Sequence, residues 1–499
     1  MLLGGLIVFV LTGGAVATAG LLQVKGIADE FGKFSVDVPF APGTVTEAEP
    51  GKPQTLLLVG SDHRYGDRGK DARADTLMLV RVDPDQQATT VLSIPRDLAV
   101  EIPGHGLAKI NDAYTLGGLD LTTRTVKKLL STDDESFRVN HAVATTFGGF
   151  IGAVDDLKCV YIDVDRRYYH TNAGLPVSQH WSEIDIRAGY QQLCGSDALA
   201  YVRFRHLDND IVRAARQQGF LRATKDQLRE QGLLRLGSLK RLVRIVAKAT
   251  ESDKDLHSTK GLLRLAKLAV GASGKPVRQI RFPATIVAPG DVSVIGTQAA
   301  LGSYVTASPS EIRAAVREFM RPPAPRKVAP ARRSRARRAR ARTSVDLRDA
   351  ASQIDPLVRA APTRPRTRMP VYAPRRITRK GSPPASTPVA PNPRRYVLED
   401  PSGRRHAAYR IVIAEDVIEG QYYGIQGTTW KTPPILAATH ETRRIGGRTF
   451  SLYADGRRLR LVAWRTAKAV YWVTNTLTLD LSNDEMLEIA RSARRVRSR

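Results

Sequence analysis

The stretch that decides the fold runs from Thr55 to Asp97. It opens with Thr55-Leu56-Leu57-Leu58-Val59-Gly60-Ser61-Asp62 and continues through Arg73-Ala74-Asp75-Thr76. It closes with Ser93-Ile94-Pro95-Arg96-Asp97. Thr55–Val59 reads as a short apolar strand ending at a Gly-Ser turn. A polar loop with His63, Arg64, Asp67, Arg68, Lys70 and Arg73 follows, and Asp75 opens a second strand, Thr76–Val82. Asp83-Pro84-Asp85 is a turn signal, and a third strand spans about Thr89–Ile94. If the three form a meander, neighbours are antiparallel. The end of the first, the start of the second and the end of the third then share one sheet edge. Asp62, Asp75 and Arg96 converge there although distant in sequence.

A second group of charges lies downstream. Tyr201-Val202-Arg203-Phe204-Arg205 reads as a strand, which places Arg203 and Arg205 on one side. Asp210 precedes a helical segment, Ile211–Arg229, with Arg213, Arg216 and Gln217 on one face near its start. Arginines at a helix N-terminus oppose the macrodipole on a free surface. They fit if an anion lies between them, met by backbone N–H groups and guanidinium forks together. Two acids with several arginines suit a diphosphate and a metal. Carboxylates hold Mg²⁺ with few protein ligands, arginines bind the phosphate oxygens, and the set stabilises charge on a transferring phosphoryl group.

With 499 residues, the chain has length for about two to three domains. A hydrophobic fraction of 42% excludes wholesale disorder. The net charge of +28 is unevenly spread: +18 falls in residues 321–395, +6 in residues 396–499 and only +4 in the first 320. That excludes a uniformly basic nucleic-acid-binding fold. Two cysteines, Cys159 and Cys194, exclude a zinc cluster and a disulfide-dense scaffold.

Residues 2–24 carry no charge, and Lys25 ends the run. That length spans a bilayer as a helix and exceeds the h-region of a signal peptide. We therefore expect one transmembrane helix with the rest of the chain on one side of the membrane. In an exported protein Cys159 and Cys194 are expected to pair, contributing roughly 4 kcal/mol at most. Residues 25–53 read as a stalk and residues 54–321 as the main domain. Residues 322–395, dominated by Arg, Pro and Ala, read as a disordered linker, with a transiently helical stretch near Leu347–Val358. Residues 396–499 read as a small α+β domain, with strands at Tyr409–Ala414, Arg458–Trp464 and Tyr471–Thr478. A closing helix spans Ser482–Ala493, with Ser482 as N-cap and Glu485 three residues on.

The ordered blocks of residues 55–320 resemble the LytR-CpsA-Psr family of cell-wall phosphotransferases. They are Gly60-Ser61-Asp62, Arg73-Ala74-Asp75-Thr76, Ser93-Ile94-Pro95-Arg96-Asp97 and Ile102-Pro103-Gly104. Further on come Lys109-Ile110-Asn111-Asp112-Ala113-Tyr114 with Gly117-Gly118, then Arg203-Phe204-Arg205 followed by Asp210, Arg213 and Arg216-Gln217-Gln218. The resemblance implies an α/β fold, a mixed central sheet flanked by helices, on the outer side of a membrane. It implies transfer of a glycopolymer from a polyprenyl-pyrophosphate carrier to peptidoglycan, forming a phosphodiester. By motif, Asp62 and Asp75 would bind Mg²⁺, and Arg73, Arg96, Arg203, Arg205, Arg213 and Gln217 would hold the head group. Asp210, with Arg216, would support the arginines. Arg96, Asp75, Arg213 and Asp97 are the expected catalytic set. Ala74 stands where the family often has Ser. Asp97 reads either as a general base or as the ion-pair partner of an arginine.

Hydrolysis of a lipid pyrophosphate shares every one of these residues. A membrane-tethered regulator acting through the basic segment would need that segment inside the cell. Outside, the segment's partners are membrane lipids, phosphate-bearing wall polymers or solvent, and no specific nucleic acid is expected. Amphipathic Leu234–Ala247 and Gly261–Val270 read as core helices or as a wall for a lipid tail. Trp430, Trp464, Tyr471 and Trp472 read as core or as a carbohydrate platform. His141 and His206 read as ligands or, with more weight, as hydrogen-bonded or solvated residues.

Overall fold

In the computed structural model of the chain, the described residues are 36–61, 74–86, 88–132, 135–176, 182–204, 210–232, 239–258, 277–280, 282–287, 304–321, 345–361, 369–438, 440–455 and 458–496, with the single positions 31, 33, 180, 260, 261 and 264. The anchor expected at 2–24 and the residues Asp62, Arg73, Arg205 and His206 lie outside them. Among the described residues, no helix is long and apolar enough to cross a membrane. The chain divides into two compact units. One joins Met1–Lys158 with Gln231–Arg326, and the other joins Cys159–Glu230 with Lys327–Arg499.

The first unit is built on a mixed seven-stranded sheet. Gln54–Ser61 lies within it, antiparallel to Ala74–Asp83 and parallel to His141–Thr146. All eight residues of Gln54–Ser61 are buried, as expected of an apolar strand covered on both faces. Ala88–Ile94 continues the meander antiparallel to Ala74–Asp83, and Val277–Ile280 adds a parallel strand. The expected meander is therefore present, and its shared edge brings Asp75 and Arg96 together.

Helix Asp112–Leu130 packs Leu119, Leu121, Val126 and Leu130 into the sheet's core, where Phe137 and Phe319 also lie. It breaks near its start, because Gly118 adopts φ 58° and ψ −150°, a conformation that glycine tolerates and other residues resist. Helix Pro309–Met320 begins with a capping box between Ser308 and Glu311.

The expected stalk is packed from residue 36 onward. Val36–Asp37 pairs in parallel with Thr250–Ser252. The Thr46 N–H donates to Val139 O at 2.8 Å, and Asp120 accepts from Ala41 N and the Thr44 hydroxyl. The segment's proline and glycine content matches a chain that turns along a surface, with Ala48 buried and Val38 and Phe40 partly buried against the core.

The second unit carries a seven-stranded antiparallel sheet. Its order is Arg394–Glu399, Arg405–Asp416, Gln421–Thr428, Val470–Thr474, Arg458–Arg465, Arg448–Asp455, Glu441–Ile445. Helix Asn483–Ser492 closes the domain with the expected capping box, Ser482 Oγ to the Glu485 N–H and Glu485 back to the Ser482 N–H. One face of the sheet buries Ile411, Ile425, Val462 and Trp464 against Ile354, Val358 and Ile489. The disordered-linker expectation is therefore corrected for residues 345–361 and 369–395. Leu347–Asp349 pairs with Arg376–Thr378, and Ala351–Ala360 is a helix whose Ile354 and Val358 are buried. Composition misleads there because a few apolar residues, one helical turn apart, are covered by a sheet formed later in the chain. Residues 322–344 lie outside the described residues.

The opposite face of this sheet is sealed by the other part of the unit. Tyr161 and Tyr190, on the paired strands Val160–Val164 and Gly189–Leu193, share a buried cluster with Trp430, Leu461 and Trp472. Gly189 has φ 117°, and a Cβ there would stand 2.6 Å from the Tyr396 hydroxyl, so the strand comes close to the sheet only as glycine. The aromatic residues weighed as a carbohydrate platform are core: Trp464, Tyr471 and Trp472 are each at most 2% exposed. Cys159 and Cys194 form the expected disulfide.

Candidate active site

The first unit holds the acidic and basic residues of the meander edge. Asp75 is the second residue of Ala74–Asp83, and Arg96 follows the end of Ala88–Ile94. Antiparallel pairing of Leu77 with Ile94 places both at the same end of the sheet. Arg96 Nη1 pairs with Asp75 Oδ1. Its Nε reaches Asp97 Oδ2 at 3.4 Å, and Lys109 Nζ lies 3.7 Å from Asp97 Oδ1. All four side chains remain partly open to solvent. Burial pulls the Arg96 guanidinium down, but the charges and hydrogen bonds of Asp75 and Asp97 outweigh it and raise it. Asp97 is thus an ion-pair partner of Arg96 and Lys109.

The sequence reading quoted Asn111 within a motif but gave it no role, and it did not assign Lys109. Both strand ends are tied through Asn111. Its N–H donates to Arg96 O at 3.2 Å, and its C=O accepts from Ala74 N at 3.4 Å. Its side-chain Oδ1 is buried and has no hydrogen-bond partner among the described residues. The only signal available beforehand was position: a polar residue immediately before a helix start, where Asn is a common cap. It makes no side-chain cap here. Among the described residues, oxygen donors on this edge include the Asp75 and Asp97 carboxylates and this amide oxygen, groups of the kind a hard divalent cation takes. Asp62, the other expected ligand, is outside the described residues.

The second unit holds the remaining candidates, and here the strand expectation fails. Gly195–Arg203 is a helix, burying Ala198, Tyr201 and Val202, the i, i+3, i+4 spacing of one helical face. Ala198, Leu199 and Ala200 are strong helix formers, and they carry the helix through Arg203. Arg203 ends this helix, so it does not lie on the expected strand, and Arg205 is outside the described residues. Helix Asp210–Glu230 forms as expected.

On it, Arg213 is half-buried, whereas Arg216 is fully buried. The Arg216 guanidinium donates to Phe204 O and lies over the rings of Tyr168 and Tyr201, 4.9 and 5.6 Å from their centroids. Gln217 is also buried and donates from Nε2 to Val202 O at 3.1 Å. Arg216 and Gln217 therefore both brace the end of the helix that carries Arg203; the sequence expectation is a supporting role for Arg216 and a head-group ligand for Gln217. His141 is a buried residue with Nδ1 3.3 Å from Asp253 Oδ1, in line with its hydrogen-bonded reading.

The chain is 34% identical over 186 residues to the polyisoprenyl-teichoic acid–peptidoglycan teichoic acid transferase TagT of Bacillus subtilis, covering 37% of this chain and 55% of that protein. It is 29% identical over 226 residues to TagU of Bacillus cereus, which has the same descriptive name, covering 44% and 68%. The chain thus spans about half the length of the first of these relatives. A solved structure titled TagT bound to LIIa-WTA shares 26% identity, with a TM-score of 0.41, covering 57% of this chain and 98% of that one. Residues 28–308, more than half the chain, match the model of the LytR_cpsA_psr family, and with the ordered motifs and the mixed sheet already described, the chain belongs to that family.

Proposed function

We propose that the protein transfers a glycopolymer from a polyprenyl-pyrophosphate carrier to peptidoglycan, forming a phosphodiester. The observation that carries this reading is Arg96, fixed between Asp75 and Asp97 at the end of the meander. A guanidinium held by two carboxylates keeps its direction without a substrate, so little reorganisation is needed when charge develops nearby. The names of TagT and TagU support the same substrate class.

The acceptor hydroxyl attacks the sugar-proximal phosphorus. The bond to the bridging oxygen breaks, and lipid monophosphate leaves. Negative charge builds on the bridging oxygen, and arginines aimed at it stabilise the transition state more than the ground state. In this proposal Arg96, Arg73, Arg203, Arg205 and Arg213 bind the diphosphate. Asp75 and Asp97 position Arg96, and Arg216 with Gln217 braces the helix end at Arg203. Magnesium held by Asp62 and Asp75 supplies further charge neutralisation when bound. The catalytic part is placed outside the cell membrane, tethered by residues 2–24.

The test uses the full chain in detergent, a short-chain lipid-pyrophosphate-sugar, Mg²⁺ and peptidoglycan fragments, with products followed by mass spectrometry. A phosphodiester-linked adduct that Arg96→Ala abolishes is the expected result. Sugar phosphate released with or without peptidoglycan, and no adduct, would replace transfer with hydrolysis.

A further inference from the structure

Helix Asp210–Glu230 carries Arg213 near its start, and its second half is fastened to the C-terminal sheet. Arg222 pairs with Asp455. Asp226 Oδ2 lies 3.6 Å from Arg460 Nη2. The next residue, Gln227, accepts at its amide oxygen from Tyr161 N at 3.0 Å and donates to Cys159 O at 2.7 Å. Between the helix and the sheet lies a cavity of about 110 Å³, lined on the helix side by Arg216, Arg222 and Asp226 and on the sheet side by Arg410, Arg460 and Asn475. The junction carries two ion pairs beside a cavity whose lining also includes Ile162, Ile435, Leu461 and Leu477. Arg460 is lowered by burial first and by the Arg222 charge next, with Asp226 and Asp455 opposing both. The two acids keep Arg222 of the helix and Arg460 of the sheet at one place.

We propose that Asp455 and Arg460 of the C-terminal sheet are positioning residues for Arg213. The sheet sets the tilt of this helix and, through it, the place of an arginine that binds the lipid diphosphate. The inference rests on the reading given under Proposed function and assigns the C-terminal domain a part in it. Arg213 stands thirteen residues from Asp226, roughly 20 Å along a helix at 1.5 Å per residue. At that lever length a tilt of about 3° moves the guanidinium by roughly 1 Å, a displacement of the size that costs orders of magnitude in rate.

The experiment measures binding of a fluorescent short-chain prenyl diphosphate to the full chain, alongside kcat and KM for transfer. Asp455→Arg places a third cation beside Arg222 and Arg460. Its expected effect is donor binding about tenfold weaker and a lower kcat, with a melting temperature close to wild type. The pair is about one-third exposed on both sides, and such ion pairs contribute little to stability. Arg222→Glu combined with Asp455→Arg restores the pair with reversed sign, and Asp455→Glu conserves it. Both are expected to bind like wild type.

Unchanged binding in Asp455→Arg, or a loss that neither the reversed pair nor Asp455→Glu avoids, overturns the inference. Wild-type binding without transfer would remove the transferase reading and leave the positioning role standing on the binding data. Wild type that does not bind the diphosphate overturns both.

Discussion

Asp163→Ala separates two accounts of how the C-terminal sheet adheres to the Tyr161 strand. Asp163 and Arg410 are both buried, 3.0 Å apart, and the Trp472 indole N–H donates to Asp163 at 2.6 Å. Burial raises the Asp163 carboxyl, against the pull of Arg410 and the Trp472 hydrogen bond. The charge is thus costly to bury, and the intact pair adds little net stability relative to apolar side chains. Removing one partner differs. Arg410, with no exposed side-chain surface, keeps among the described residues only the Thr474 hydroxyl at 3.1 Å and loses its counter-charge, while Trp472 loses its acceptor. Breaking a buried pair costs about 3–5 kcal/mol, and an orphaned donor about 1–3 kcal/mol. Because both losses share one partner they do not add, and we expect about 4 kcal/mol for Asp163→Ala. Arg410→Met should cost about as much, for the stranded carboxylate. Replacing both, as Asp163→Leu with Arg410→Met, should lose only about 1 kcal/mol. Guanidinium unfolding of the full chain, followed by tryptophan fluorescence, gives the three numbers. If the double substitution costs the sum of the single ones, the residues are not coupled and the reasoning fails.

Arg96→Ala should lower transfer about 10²- to 10³-fold, the loss typical of one preorganised donor, and Arg96→Lys should restore little because a point charge cannot engage both Asp75 and Asp97; product formation by mass spectrometry reads both. Replacing Cys159 and Cys194, 35 positions apart, with serine should cost up to about 4 kcal/mol in denaturant unfolding. Asp120 should tie the 36–50 segment down in a pH-dependent way. Burial raises its carboxyl, but hydrogen bonds from Ala41, Thr44 and Arg124 outweigh this and hold it below 3.8. Its contribution is therefore complete above 3.8 and is lost as pH falls through the lower folded value. Proteolysis of that segment should rise on acidification in wild type and change less with pH in Asp120→Asn.

The sequence by itself determined the meander and its edge. Thr55–Val59 is apolar without interruption, Asp83-Pro84-Asp85 forces a turn, and antiparallel neighbours leave no other place for Asp75 and Arg96. The Ser482–Glu485 capping box was equally legible, because its hydrogen bonds are local. Tyr201–Arg203 was misread since five residues fit either period, and the helix formers that decide it lie upstream. Residues 345–361 and 369–395 escape the sequence reading because an average over an Arg/Pro-rich window hides Ile354, Val358 and Ile377, whose partners lie on elements far later in the chain, Trp464 and Ile489 among them. Arg216 and Gln217 share a helical face with Arg213, and periodicity treats the three alike. Only packing against Tyr168, Tyr201 and the Val202–Phe204 turn separates two braces from a candidate ligand. The same holds for the closure of the C-terminal sheet by Tyr161, Asp163 and Tyr190. Those contacts join residues more than two hundred positions apart, and whether such side chains meet is set by how the elements stack, which no local pattern of residues encodes.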